Sequence, residues 1–464
     1  MNRGCASSPS FRMQASPVLP VERAIQLLRE NIMSMSRIAC KTVRLLAPLL
    51  VSLVMASCGG GGGGGVVAVP VAKTWTILVY MDGDNNLSGS ALANFTQMQA
   101  ATGSTNVTVV VQLATLGAST KRYQIKNGAT TLLADLGEVN MATGQSITNF
   151  LTWATTAYPA DRTVLILWDH GDGWDELTPR AAAAGAPAAP HSLAMFTNPG
   201  SNTPVLFNYQ IRQAIEQSGI KLDVLGFDGC NMGTLEAFYE FRGLAGVLVA
   251  SEELVPDNGW NYNALLSGLA AAPGMSAEDF GTLAVTAYQN YYANTQPPLT
   301  ATTLIALRGL PSSGLDQDNP ITRIAVEIDS VARQLQASLA SPATSAATLS
   351  TITQARAGVQ EIDISTSFVY VDLVDLFNRL GVATALPALV SAATIAEYHG
   401  SARPGAHGIS IVFFKLPEAI TYNVYDPNYK NYDAATNTGN QGAFINSFQW
   451  DEFLHAYYVD AGLL

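Results

Sequence analysis

Two apolar runs, each followed by a glycine, most constrain the fold of this 464-residue chain. Residues 163–169 have the sequence TVLILWD and lead into His170 and Gly171; residues 222–228 have the sequence LDVLGFD and lead through a glycine into Cys230. Short runs of this kind are typical of parallel strands that are buried on both faces. Strands alternate with amphipathic helices along the chain, which predicts an α/β fold with helices on both sides of a parallel sheet.

The elements predicted from these patterns fall into three groups. Strands are predicted over residues 75–81, 107–113, 163–169, 222–228, 246–250, 302–308 and 408–414, and an edge strand or hairpin over 121–126. Helices are predicted over 87–100, 147–158, 208–218, 232–242, 321–359, 368–380 and 386–398. The remaining group, residues 177–204, is rich in alanine and proline and is predicted to be an irregular loop.

His170 and Cys230 each follow a predicted strand, and functional sites of open α/β sheets form where strands end. Sixty residues separate the two, which leaves room for a helix and a loop between neighbouring strands. A histidine that takes the proton of a thiol produces the thiolate that attacks a carbonyl. We therefore expect Cys230 to be a nucleophile and His170 to be its general base and acid.

Two alternatives to this pair follow from the residues alone. Cys230 could be an inert buried side chain, and His407, which precedes another predicted strand, is a second candidate for the base. The helix predicted over 232–242 begins beside the cysteine and would favour its deprotonation. Asp169 falls on the opposite side of its strand from His170, so we assign it no role.

Five stretches of the chain resemble the clostripain family of cysteine peptidases, which belongs to the caspase-like clan. The resemblance spans roughly residues 73 to 455. It implies a caspase-like α/β/α sandwich with a mostly parallel central sheet and additional C-terminal helices. It also implies a cysteine endopeptidase with a Cys–His dyad, and the strand and glycine around His170 match the family pattern. The five stretches are 75–87 (WTILVYMDGDNNL), 164–174 (VLILWDHGDGW), 225–236 (LGFDGCNMGTLE), 250–262 (ASEELVPDNGWNY) and 405–414 (GAHGISIVFF).

The resemblance implies further site residues. Gly171 and the backbone N–H of Cys230 match the family's oxyanion hole, which stabilises the charge that develops on the substrate carbonyl. Asp228, two residues before the cysteine, matches the base of an S1 pocket, where a carboxylate pairs with Arg or Lys of the substrate. Asp257 is a second candidate for the pocket wall, and capping of a helix is its alternative role.

Self-processing is expected in the loop 177–204. Its basic residue is Arg180, and exposed flexible chain is where proteolysis concentrates. The other two basic residues between the dyad positions, Arg212 and Lys221, lie in a predicted helix and beside a predicted strand. Because clostripain-like enzymes are commonly split between their catalytic residues, we expect the enzyme to cut itself after Arg180.

The N-terminal region has the features of a secretion signal. We predict a leader over residues 1–57, in which basic residues precede an apolar stretch at 45–55, LLAPLLVSLVM. This stretch is too short for a membrane-spanning helix, which needs about 20 residues. Small residues before Cys58 resemble a bacterial lipoprotein signal with Cys58 as the lipidated residue; an ordinary signal peptide is the alternative. The glycine-rich residues 58–72 then form a flexible tether.

The remaining chain is predicted to contain a catalytic core over 73–315 and a helical extension over 316–464 that returns to the core sheet. A leader that begins at Met33 or Met35 would have an ordinary length, so we expect the true start of the protein at one of these residues. From residue 58 onward the chain carries 17 basic and 34 acidic side chains, a formal net charge of −17. This charge argues against nucleic acid as a partner and is compatible with basic substrates.

No metal site or required cofactor is predicted. The acidic turn that begins at Asp82 lacks the glycine and the glutamate of an EF-hand, with Leu87 and Ala93 at those positions. Because some clostripain-like enzymes are activated by calcium, activation through another site in the acidic loops stays open.

The sequence thus predicts an exported, lipid-anchored cysteine endopeptidase of the bacterial cell envelope. It would cleave proteins or peptides after Arg or Lys, bind no nucleic acid, and contact the membrane through its lipid alone. Two other functions stay open: a non-catalytic surface lipoprotein that binds a partner on the same fold, and a transpeptidase that uses the same dyad. The presence of both His170 and Cys230 counts against the first, and the mass of the products separates the second.

Overall fold

The computed structural model describes residues 74–171, 173, 195–197, 205–362, 370–415 and 442–462. Contacts divide the chain after Ala68, and every described residue belongs to the compact unit Val69–Leu464. The predicted leader, Cys58 and the predicted tether lie outside the described residues. None of the helices that the structure describes is both long and apolar enough to span a membrane.

A nine-stranded sheet forms the centre of the unit. Its order is β12-β10-β9-β8-β5-β1-β2-β3-β4, and the five strands from β9 to β2 are parallel. The two strands at each edge run antiparallel to their neighbours. The strands are β1 Trp75–Gly83, β2 Val107–Thr115, β3 Ala118–Lys126, β4 Ala129–Asp135, β5 Arg162–Trp168, β6 Met195–Thr197, β7 Val205–Leu206, β8 Leu222–Asp228, β9 Ala245–Ala250, β10 Thr303–Arg308, β11 Tyr370–Asp372, β12 Thr394–His399 and β13 Ser410–Val412.

Helices cover both faces of the sheet. Successive side chains of a strand point to opposite faces, so β1 sends Leu78 into one buried cluster and Val79 into the other. Three helices, α1, α5 and α6 below, pack on the face that carries Val79, and the other helices contribute to the opposite cluster. The helices are α1 Ser88–Ala100, α2 Gly144–Ala157, α3 Asn208–Ser218, α4 Leu235–Phe241, α5 Tyr262–Ala271, α6 Ala277–Ala293, α7 Pro320–Ala340, α8 Ser345–Gly358, α9 Leu373–Leu380, α10 Leu386–Ala393, α11 Ala443–Ser447 and α12 Trp450–Asp460.

This arrangement confirms the predicted fold class, an α/β/α sandwich with a mostly parallel sheet and additional C-terminal helices. Strands β1, β2, β5, β8, β9 and β10 lie where the apolar runs predict them. The domain boundary predicted after residue 315 stays a prediction. Leu307 lies before this boundary and Ile324 after it, and both belong to the same buried cluster.

Three predicted elements near the C-terminus are wrong in part. The helix predicted over 386–398 ends at Ala393, and Thr394–His399 forms edge strand β12, because its backbone pairs antiparallel with β10. The helix predicted over 368–380 begins only at Leu373, where Asp372 caps it. The strand predicted over 408–414 is confined to β13, which pairs with β11 in a separate two-stranded sheet. Strand β12 therefore makes the return to the main sheet.

Two further differences concern residues between the strands. The segment 177–204 was predicted to be irregular throughout, but Met195–Thr197 forms strand β6 and pairs antiparallel with β7. Arg180 lies outside the described residues. Helices α5 and α6 were not predicted. Leu265, Leu266 and Leu269 of α5 nevertheless have helical spacing, and they are buried in the cluster that contains Val79.

Candidate active site

Strands β5 and β8 are parallel neighbours, and their register places Trp168 opposite Asp228. The offset between paired residues is 60, which is also the separation of His170 and Cys230. Both residues therefore follow the last strand pair by two positions, at the edge of the sheet where parallel strands end. Both side chains are half-buried, so the strand ends bring the two predicted dyad residues to one partly open edge.

Gly171 packs directly against the backbone of Cys230. A Cβ atom at position 171 would lie 2.4 Å from the carbonyl oxygen of Cys230 and 3.1 Å from its nitrogen. These distances are shorter than van der Waals contact, so any larger residue would push the two loops apart. Glycine is therefore required here for close approach of the histidine loop and the cysteine loop.

The chain turns sharply after Cys230. Asn231 has a φ of 58°, and its N–H donates to the carbonyl oxygen of Glu253 at 3.2 Å. Helix α4 begins at Leu235, where the Thr234 side chain accepts a hydrogen bond from the N–H of Ala237. The prediction that a helix begins at residue 232, beside the cysteine, is therefore wrong: a turn separates Cys230 from the first turn of α4.

A backbone donor approaches the sulfur of Cys230 instead. The N–H of Val255, in the loop after β9, donates to Cys230 Sγ at 3.4 Å. The carbonyl oxygen of the same residue accepts from Cys230 Sγ at 3.8 Å, so the backbone of Val255 contacts the sulfur through both its donor and its acceptor. The loop after β9 thus contributes to the surroundings of the predicted nucleophile.

Two neighbouring asparagines contact the strand end that carries His170. The Nε2 atom of His170 lies 2.9 Å from Oδ1 of Asn86. The Nδ2 atom of Asn85 donates to Oδ1 of the buried Asp169 at 2.7 Å. Asp169, which was given no role from the sequence, therefore anchors the β1–α1 loop next to the histidine. Asn86 was not predicted as a site residue, although it belongs to the stretch 75–87 that carries the family resemblance.

Asp228 is a buried carboxylate with one satisfied oxygen. Its side chain is 3% exposed, and its Oδ2 accepts hydrogen bonds from the N–H of Trp260 at 3.1 Å and the hydroxyl of Tyr262 at 2.8 Å. Its Oδ1 is buried and has no hydrogen-bond partner among the described residues. Burial raises the pKa of Asp228 to about 7, and the two hydrogen bonds oppose this rise.

Two tyrosines of α6 lie within electrostatic reach of this carboxylate. Burial raises the pKa of Tyr288 well above its ordinary value, and Tyr292, Asp228 and Cys230 raise it further. The pKa of Tyr292 is also raised, first by burial and then by Asp228, with a smaller contribution from Asp257. Asp228 is therefore close to both tyrosines of α6. Asp257 itself is exposed, unlike Asp228.

The rival histidine has a different partner. His407 Nδ1 lies 3.0 Å from Oδ1 of the buried Asp372, and its backbone N–H donates to the other carboxylate oxygen at 2.6 Å. The hydrogen bond to Asp372 is the main reason that the pKa of His407 is raised. The hydrogen bonds described for His407 involve Asp372 and Gly405, so they give it a structural role at the β11–β13 pair.

The described ranges contain no group of three or more His, Cys, Asp or Glu side chains arranged to hold a metal ion. Within the turn that begins at Asp82, the backbone N–H of Asp84 donates to Oδ1 of Asp82 at 3.2 Å. Whether calcium activates the protein stays an open expectation from the sequence.

Comparison with known proteins places the chain in a family. The family model described as the clostripain family matches residues 79–455. Clostripain from Hathewaya histolytica is 27% identical over 238 residues, a match that covers 45% of this chain and 44% of that relative. The chain thus aligns with less than half of the length of this curated relative.

Two solved structures are similar in fold. A secreted C11 cysteine protease from Bacteroides thetaiotaomicron, in complex with an irreversible peptide inhibitor, superposes with a TM-score of 0.56 at 17% identity, covering 76% of this chain and 96% of that one. An inactive zymogen C11 protease from Parabacteroides distasonis gives a TM-score of 0.53 at 19% identity, with coverages of 77% and 97%. The family match extends over most of the chain and includes β5, β8 and the loops that follow them; the chain therefore belongs to the clostripain family of cysteine peptidases.

Proposed function

We propose that this protein is a cysteine endopeptidase that cleaves after Arg or Lys, with Cys230 as nucleophile and His170 as acid and base. The observation that carries the proposal is the shared register of β5 and β8, which sets both residues at equivalent positions beyond adjacent strands. The contact between Gly171 and the Cys230 backbone supports it, because the two loops touch at the point where proton transfer is needed.

The chemistry follows the usual order for a thiol nucleophile. His170 takes the thiol proton, and the thiolate of Cys230 attacks the carbonyl carbon of the substrate. When the tetrahedral intermediate collapses, the C–N bond breaks, and His170 gives its proton to the leaving amine. Water, deprotonated by His170, then attacks the thioester; collapse releases the carboxylic acid product and restores the thiol.

The developing negative charge on the substrate oxygen needs backbone donors. Gly171 and the N–H of Cys230 are the candidates, and the lack of a side chain at Gly171 lets the two loops that carry them pack directly together. In the described structure, the loop after β9 supplies the further donor to the sulfur, through Val255.

Asp228 supports selection of a basic residue before the cut. Its Oδ1 is buried and lacks a hydrogen-bond partner within the described ranges. A buried acceptor without a partner is unfavourable, and a hydrogen bond from a charged Lys or Arg side chain would stabilise it most strongly. Gly259 packs closely against the other oxygen: a Cβ at this position would lie 2.8 Å from Oδ2 of Asp228 and 2.5 Å from Oδ1 of Asn94, so a side chain here would displace the carboxylate. Tyr288 and Tyr292 of α6 are buried close to this carboxylate and form part of its apolar surroundings.

A cleavage profile on a mixed peptide library tests this function. We expect the wild-type protein to cleave after Arg and Lys and the Cys230→Ala variant to cleave nothing. A profile with no cleavage would favour the binding-protein alternative, and products joined to an added amine would favour transpeptidation. Parallel reactions with EDTA establish whether calcium is needed.

Self-processing is proposed at Arg180, which lies outside the described residues. One structural neighbour is described as an inactive zymogen, so control by processing is compatible with this fold. We expect the purified wild-type chain to give two fragments, the second beginning at Ala181, and both Cys230→Ala and Arg180→Gln to stay whole. Mass spectrometry of the fragments is the measurement. An intact wild-type chain with full activity would contradict the proposal.

Export and anchoring through a lipid on Cys58 are also proposed, and one neighbour is described as secreted. We expect Cys58→Ser to move the protein from the membrane fraction to the soluble fraction or to leave it unprocessed, because the lipid supplies the hydrophobic attachment. Fractionation followed by immunoblotting checks this. Equal distribution of both proteins would instead indicate an ordinary signal peptide.

A further inference from the structure

The β1–α1 loop is fixed immediately beside the predicted catalytic histidine. Asn85 is 2% exposed, and both ends of its amide are bonded: its Oδ1 accepts from the N–H of Leu87 at 2.8 Å, and its Nδ2 donates to Asp169 at 2.7 Å. Asn86 lies between Asn85 and Leu87 in the chain, and these two residues are joined by one of these hydrogen bonds. The loop therefore holds Asn86 in place without the aid of the Asn86 side chain.

The side chain of Asn86 is exposed and still contacts the imidazole, with its Oδ1 2.9 Å from Nε2 of His170. An exposed side chain that buries no apolar surface contributes little to folding. Its contact with a histidine at the edge of the sheet is thus best explained by an effect on that histidine.

The identity of the Asn86 atom decides which nitrogen of the ring carries the proton. A carbonyl oxygen only accepts hydrogen bonds, so Nε2 of His170 must be the N–H donor. In the neutral ring the lone pair then resides on Nδ1. When the ring is protonated, Nε2–H keeps the same partner, and the hydrogen bond stabilises the imidazolium.

We propose that Asn86 is a positioning residue that holds His170 in the tautomer whose Nδ1 exchanges the proton with Cys230. The inference rests on the proposed function for the assignment of His170 and Cys230. It adds a third residue, which acts through the histidine and touches neither the nucleophile nor the scissile bond.

Two substitutions at position 86 separate orientation from folding. Asn86→Ala removes the acceptor, and Asn86→Asp replaces the amide with an acceptor that has no N–H. We expect Asn86→Ala to lower kcat by about tenfold to a hundredfold, a part of what general acid–base catalysis contributes, with KM changed less than twofold. Asn86→Asp is expected to retain most of kcat, because its oxygen accepts the same hydrogen bond.

The pH profile provides a readout that a structural role would not change. A carboxylate beside Nε2 stabilises the imidazolium more than an amide does, and alanine stabilises it less. The alkaline limb of kcat/KM should therefore lie at higher pH in Asn86→Asp than in wild type, and at lower pH in Asn86→Ala. The matched control is Asn149→Ala, an exposed asparagine on α2, which should change neither kcat nor the profile.

Alkylation of Cys230 by iodoacetamide tests the inference independently of peptide cleavage. We expect the acid limb of the alkylation rate to move to lower pH in Asn86→Asp and to higher pH in Asn86→Ala, because a more stable imidazolium favours the reactive thiolate. If wild type cleaves no peptide, the proposed function fails, but alkylation still reports on the histidine and cysteine pair. The inference is overturned if Asn86→Ala matches wild type in kcat and in the alkylation profile, or if Asn86→Asp is as impaired as Asn86→Ala.

Discussion

Replacement of Cys230 or His170 with alanine is expected to lower kcat by about 10⁴-fold or more, as for other nucleophile–base pairs that act as a unit. The thiol supplies the attacking atom, and the imidazole moves the proton in both halves of the reaction. Neither side chain is fully buried, so thermal melting should change little. Steady-state hydrolysis of an Arg-containing peptide, together with a melting curve of each variant, checks both expectations.

His407→Ala is the matched control for this prediction. Its imidazole pairs with buried Asp372, so its loss should lower the melting temperature. It should leave kcat largely unchanged. The assignment would be wrong if His407→Ala abolished hydrolysis while His170→Ala remained active.

Loss of the Asp228 charge is expected to give the second large effect. Asp228→Asn should lower kcat/KM for substrates with Arg or Lys before the cut by about 10²- to 10³-fold, the range for removing one partner of a buried charge pair. Exposed Asp257 is a suitable comparison, and Asp257→Asn should have a smaller effect because solvent screens its charge. Equal cleavage after Arg by wild type and Asp228→Asn would place the pocket elsewhere.

The pH dependence of this selectivity follows from the raised pKa. With a pKa of about 7, Asp228 is largely neutral below pH 7 in the unoccupied protein, whereas a bound cation requires the ionised form. KM for Arg substrates should therefore rise about tenfold per unit as pH falls below 7, beyond any change in the dyad. Asp228→Asn should lose this dependence, and the comparison of the two pH profiles cancels the contribution of the dyad.

The same pKa predicts how stability should respond. Because burial raises the pKa of Asp228 from 3.8 to about 7 in the folded protein, its contribution to stability is present below pH 3.8 and is lost as pH rises through 7. At pH 8 the wild-type protein carries the cost of a buried charge, and Asp228→Asn removes it. The variant should therefore melt no lower than wild type at pH 8, which separates the loss of selectivity from a loss of folding.

Much of the architecture could be predicted from apolar runs. Strands β5 and β8 are short, apolar and buried on both faces, so their composition alone indicates central parallel strands. Their ends could then be assigned as a site, because parallel strands end at a common edge. His170, Cys230 and Asp228 were found this way and from the family resemblance, and the structure sets all three at that edge.

The features that were not predicted depend on contacts between residues that are distant in the chain. The start of α4 is set by the turn at Asn231, which pairs with Glu253, and strand β12 is decided by pairing with β10. No local pattern contains either contact. Asn86 was missed for the same reason, since its partner lies 84 residues away and its own neighbours are ordinary turn residues.

Covalent labelling tests the central claim most directly. The wild-type protein would be incubated with a short peptide that ends in Arg and carries a thiol-reactive group in place of the scissile bond, then digested and mapped by mass spectrometry. The account predicts a stoichiometric adduct on Cys230, with much slower labelling in Asp228→Asn, in His170→Ala and by the same peptide ending in Glu. An adduct on another residue, or labelling of Cys230 that is equally fast with Arg and Glu peptides, would contradict it.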